Sequence, residues 1–236
     1  MTELISGMNG LILGAVVFAA VHLLIAGTPV RAALVGAIGD MPYQGVFSLL
    51  SIIGLVVMIY GYGGAQPELL WSVPVVLDSL FGAIILIAFI FIVAGLTVKN
   101  PTLMGGMMGG DDALSKGDAA IGFLRITRHP MMWGITIWSA VHLIKNGDSR
   151  SLVLFGTLLV VALVGPTQID KRRAASMGES WDKFAAVTSN VPFGAIVQGR
   201  NSFKFGELGL WRIALGAALF AAMFYFHPQI TGVSLY

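Results

Sequence analysis

Apolar runs close to the length of a bilayer crossing dominate this chain, and they leave few folds open. A helix needs about 20 largely apolar residues to cross the hydrocarbon core of a membrane. Six stretches meet or approach that length: 8–26, 46–62, 77–96, 131–144, 152–169 and 211–226. None shows a persuasive strand alternation. Only 11% of the 236 residues are charged, against roughly 25% in soluble domains. The expected fold is therefore all-α: a polytopic transmembrane helical bundle of about six spans, forming a single domain over 1–236. The run at 131–144 is short for a crossing at ~1.5 Å per residue. It must extend past its apolar edges or be covered by neighbouring helices.

Composition narrows the chemistry. The chain has no cysteine, which excludes disulfides, thiolate metal sites and iron–sulfur clusters. A net charge of +2 gives no reason to expect nucleic acid. The N-terminus lacks the positive region of a signal peptide, so the first apolar run reads as a retained helix.

The basic residues are unevenly placed. Arg31 follows the first run. Lys99, Lys116, Arg125 and Arg128 lie between the third and fourth, and Lys171, Arg172, Arg173, Lys183, Arg200, Lys204 and Arg212 between the fifth and sixth. Only Lys145 and Arg150 fall on the other side. Cytoplasmic loops carry the excess of Lys and Arg, so both termini are expected outside the cytoplasm of a bacterial inner membrane. The glycine-rich segment Met104–Asp112 reads as a flexible linker, with a lid over a lipophilic site as the alternative. Trp181, Phe184 and Ala185 share one helical face opposite Asp182 and Lys183, the pattern of an interfacial amphipathic helix.

Two histidines lie within apolar runs, His22 in the first and His142 in the fourth. An ionisable side chain inside a span usually faces a bundle interior or cavity and marks function. Two imidazoles from separate helices can hold one metal centre, with haem the best candidate, each nitrogen ~2 Å from the metal. The alternative is two histidines satisfied by interhelical hydrogen bonds. His142 shares a face with Trp138, Ile135 and Met131. His129, in Arg128-His129-Pro130, precedes it by thirteen positions, so the two point about 140° apart and cannot share a metal on a straight helix. Proline suits a first helical turn. Arg128 and His129 therefore read either as a polar helix start or as an anion or cofactor contact at a helix N-terminus. His227 and Asp78 have interfacial and helix-start readings.

Taken together, several elements resemble the NnrU family and the related 15-cis-zeta-carotene isomerases. They are Val21-His22-Leu-Leu with Arg31, Phe47-Ser-Leu-Leu-Ser51, Arg128-His129-Pro130-Met-Met-Trp-Gly134 with His142, Asp170-Lys-Arg-Arg173, Gly178-Glu-Ser-Trp-Asp-Lys-Phe184 and Val191-Pro-Phe193. The resemblance implies a membrane protein tied to nitric oxide or nitrite reduction, or a haem b enzyme isomerising a carotenoid cis bond. It puts His22 and His142 at the axial haem positions. Plant-type isomerases carry a histidine shortly before the Asp-Arg-Arg element, where this chain has Gly165-Pro-Thr-Gln-Ile-Asp170. The Arg-His-Pro start also resembles isoprenylcysteine and phospholipid methyltransferases. There Arg128, His129, Gly134 and Glu179 would correspond to residues that bind S-adenosylmethionine. A third reading is a non-catalytic accessory subunit of denitrification.

Overall fold

The structure, a computed structural model, describes residues 5–103, 110–115 and 119–233. Among these the chain is helical, apart from an isolated bridge between Leu69 and Asp148. In order, the helices are α1 (Gly7–Ala19), a π-helical turn (Ala20–Ile25), α2 (Pro29–Ile38), α3 (Asp40–Gly64), a 3-10 turn (Val75–Leu77), α4 (Asp78–Thr97), α5 (Gly110–Ser115), α6 (Phe123–Ile126), α7 (Pro130–Asn146), α8 (Ser149–Met177), α9 (Glu179–Val187), α10 (Gly194–Val197), a 3-10 turn (Phe205–Glu207) and α11 (Leu210–Thr231).

Among the described residues, five helical segments are long and apolar enough to cross a membrane: Gly7–Ile25, Asp40–Gly64, Val75–Thr97, Ser149–Met177 and Leu210–Thr231. They contain five of the six expected spans. The sixth, 131–144, lies in α7, whose 17 residues extend only about 26 Å at ~1.5 Å each. Polar positions interrupt α7, and its Thr136 and Ser139 are buried in protein. Of the glycine-rich segment, residues 104–109 lie outside the described residues, as does Lys116, and Gly110–Asp112 begin α5.

Contacts divide the chain into two units, 1–78 with 139–168, and 79–138 with 169–236. In the first, α1 and α3 pack backbone to backbone through small residues. A Cβ on Gly14 would sit 2.3 Å from the Met58 nitrogen, and one on Gly61 2.2 Å from the Leu11 nitrogen. Close approach of this kind is how helices associate where lipid removes the hydrophobic drive. The register runs α1 and α3 antiparallel. At the far end of α3, Tyr62 hydrogen-bonds Ser151 Oγ at 3.0 Å and lies under the Arg150 guanidinium. Asp148 caps α8 by accepting from the Ser151 nitrogen at 2.9 Å, which satisfies an orphan donor of the first turn. Lys145 pairs with Asp78.

The second unit has two apolar cores. Phe91, Ala94, Phe123, Ile126 and Leu208 form one, and Ala113, Leu114, Ala119, Trp181 and Phe184 the other. The second core corrects the expected interfacial helix. The Trp181/Phe184 face of α9 is buried against Ala113 and Leu114 of α5, while Asp182 and Lys183 stay exposed. The helix is amphipathic as expected, but protein rather than lipid covers its apolar face.

Candidate functional site

Arg128 and His129 belong to a hydrogen-bonded knot in the second unit. His129 sits at the N-cap position of α7: its carbonyl accepts from the Trp133 nitrogen at 3.0 Å, and Pro130 takes the first helical position as expected. Asp170, on α8, receives both side chains. Arg128 donates to Oδ2 through Nε at 2.9 Å and through Nη2, and His129 Nε2 meets Oδ1 at 2.7 Å. A carboxylate only accepts, so Nε2 carries the proton and donates it. Burial pushes His129 below the ordinary imidazole value, outweighing the opposing pull of Asp170. The folded imidazole is neutral near pH 7.

The segment 188–193 closes the knot. The Arg128 nitrogen donates to the Ser189 carbonyl at 2.9 Å, Trp133 Nε1 to the Asn190 carbonyl at 2.8 Å, and the Phe193 nitrogen to the Ile126 carbonyl at 2.7 Å. Phe193 adopts a left-handed φ of 63°, a conformation uncommon outside glycine. Arg173 ties in Asp111 and the Leu103 carbonyl. The Arg-His-Pro, Asp-Lys-Arg-Arg and Val-Pro-Phe elements, scattered in sequence, thus converge in one place, and Trp181 of the Gly-Glu-Ser-Trp element has its ring 6.0 Å from the Arg128 guanidinium carbon.

The four residues of the methyltransferase correspondence do not form one site. Glu179 is exposed and paired with Lys183 at 2.8 Å. Gly134 is a packing position, where a Cβ would fall 2.6 Å from Ile92 and 2.8 Å from the Ala88 carbonyl. Only Arg128 and His129 share a partner, Asp170.

His22 and His142 both fall in the first unit. His22 lies in the π-helical turn 20–25, a distortion frequent at functional sites. Its Nδ1 bonds the Phe18 carbonyl at 2.8 Å, and its ring packs on Phe18 and Phe47 at 4.2 and 5.2 Å. Because a carbonyl only accepts, Nδ1 carries the proton and Nε2 holds the lone pair. This is the tautomer a metal-ligating histidine takes when its other nitrogen is fixed by the backbone. His142 stacks on Phe155 of α8 at 4.9 Å. Next to His22, Leu23 accepts from Gln168 of α8 at 3.1 Å. Phe155 and Gln168 are thirteen positions apart, about 20 Å along the axis. To share an iron, the two imidazoles must lean towards each other. Tautomer and aromatic surroundings suit His22 to an iron ligand, while the separation along α8 is what a shared iron would have to bridge. Among the described residues, no group of three or more His, Cys, Asp or Glu could hold a bare metal ion.

The sequence matches the family described as NnrU protein over residues 10–235. The chain belongs to the NnrU family. It is 30% identical over 122 residues to 15-cis-zeta-carotene isomerase, chloroplastic, of Zea mays, and 31% identical over 119 residues to the protein of that name in Arabidopsis thaliana. Each alignment covers 48% of this chain and 32% of the relative, so the match spans about a third of those proteins. No solved structure matches. As an NnrU protein with five apolar helices of span length, the chain is a multi-pass membrane protein.

Proposed function

We propose that this NnrU-family protein binds haem b through His22 and His142 of its first unit and isomerises a cis double bond in a carotenoid-like lipophile. The observation that carries the reading is His22: an imidazole in a π-helical turn, with Nδ1 committed to the Phe18 carbonyl and Nε2 left for coordination. The name shared by the two plant relatives supplies the reaction class. Haem b would supply an iron able to weaken a bound double bond against rotation. The protein's part is to present the two imidazoles, fix the His22 tautomer and surround the ligands with Phe18, Phe47 and Phe155. Cis-to-trans rotation leaves atoms and electrons unchanged overall, so no further co-substrate is required. The localisation that goes with this reading is a bacterial cytoplasmic membrane with both termini outward.

The test is turnover. Detergent-purified protein, supplied with haem and dithionite, is incubated with 15-cis-zeta-carotene, and the isomers are separated by chromatography. Loss of the 15-cis isomer in wild type but not in His22→Ala supports the reading. Equal, slow conversion in both overturns it. A reduced protein that binds nitric oxide at haem yet converts no carotenoid moves the function to nitrogen-oxide metabolism.

A further inference from the structure

Among the buried polar atoms of the second unit that have no hydrogen-bond partner among the described residues are His129 Nδ1 and Asn100 Nδ2. Both residues are 1% exposed. An orphaned buried polar atom is costly, so a molecule that reaches both would be favoured. Both residues line the same cavity, of about 100 Å³.

The chemistry of that occupant follows from which atoms are already used. His129 Nε2 donates to Asp170, so Nδ1 offers a lone pair and requires a donor. Asn100 Oδ1 accepts from the Thr102 nitrogen at 2.9 Å and from Thr102 Oγ1 at 2.8 Å. The free end of the amide is therefore its N–H, which requires an acceptor. A metal cation would meet the Asn100 donor and the Arg172 charge on the same lining. A fully ionised carboxylate or phosphate would meet the His129 lone pair. A hydroxyl group satisfies both atoms, donating to one and accepting from the other. Beside Thr102, whose hydroxyl is already bonded to Asn100, the rest of the lining is apolar: Leu103, Met131, Met132 and Ile169. A single water, with its share of about 30 Å³, would leave that part empty.

We propose that this cavity binds the hydroxyl end of a lipophilic alcohol, with its first carbons against Met131, Met132 and Ile169. The site is independent of the haem reading, because it uses neither His22 nor His142.

The experiment uses the full chain in detergent and a long-chain fatty alcohol bearing a photoactivatable diazirine near its hydroxyl end. Crosslinked peptides are mapped by mass spectrometry, with unlabelled alcohol or its methyl ether as competitor. The expected label falls on Met131, Met132 or Ile169, and the alcohol competes about tenfold better than the ether, which lacks the donor. Asn100→Asp keeps the Thr102 contacts but replaces the free donor with an acceptor, and should weaken labelling about tenfold. Ile169→Trp fills the apolar wall and should do the same if Asn100→Asp fails to fold. The proposal is overturned if the ether competes as well as the alcohol, if the label is unsaturable, or if folded variants label like wild type. An ordered water would then be the sole occupant.

Discussion

Asp170 is the residue on which the knot in the second unit turns, because it is the shared acceptor for Arg128 and His129. Asp170→Asn removes the charge that holds a largely buried guanidinium, and should cost about 2 kcal/mol of stability, read as a lower melting temperature in detergent. Glu207 gives a second handle. Arg125, helped by the Gly122 nitrogen, holds its carboxyl at about 2, below an ordinary 4.5. A depressed carboxylate stabilises the fold above the unfolded value, and that contribution is lost as pH falls from about 4.5 towards 2. Melting temperature should drop over that window in wild type and drop less in Glu207→Gln. His129 acts at higher pH: its folded value is lowered from 6.5, so acid favours the unfolded chain once pH falls below about 6.5. At this scale the sequence singled out Arg128, His129, His22 and His142, and gave Asp170 only as part of the Asp-Lys-Arg-Arg element, with no role of its own. A signal was present. α7 and α8 are joined by only Gly147 and Asp148, so an antiparallel hairpin returns α8 to the level of residue 129 near residues 166–170. Asn100 carried no such signal, because its burial arises from tertiary packing that no local pattern records.

At the scale of elements, the α1–α3 contact depends on glycines whose neighbours are backbone atoms. Gly61→Val drives its side chain into the Leu11 backbone and should cost about 3 kcal/mol. Gly63→Ala, two positions on and with nothing within 4 Å, should be neutral or stabilise by up to about 1 kcal/mol, since alanine is the better helix former. Thermal melts of the pair separate close packing from helix propensity. Trp181→Ala should cost about 3–4 kcal/mol, as expected of a side chain buried on protein; a lipid-facing residue would show little loss. Apolar run length located the long helices well, since burial of backbone polar groups enforces helix in a bilayer. It did not foresee the π-helical turn at His22, a local insertion with no composition mark. Nor did it foresee α2, whose start is capped by Thr28 and whose Arg31 pairs with Asp40.

At the scale of the whole molecule, a charge asymmetry and five span-length helices among the described residues frame the proposed ligand pair. The absence of native cysteine makes topology directly measurable. Lys183→Cys should react with an impermeant maleimide only from the cytoplasmic side, and Val76→Cys, exposed at one end of α4, only from the other. Labelling of both from one side would contradict the proposed orientation. The most direct measurement is the visible spectrum of the detergent-purified protein, oxidised and then dithionite-reduced, in wild type, His22→Ala and His142→Ala. The account predicts a Soret band and a sharp reduced α-band in wild type, altered or lost in each variant. A protein that stays colourless after haem is supplied, or a spectrum that neither substitution changes, would contradict it.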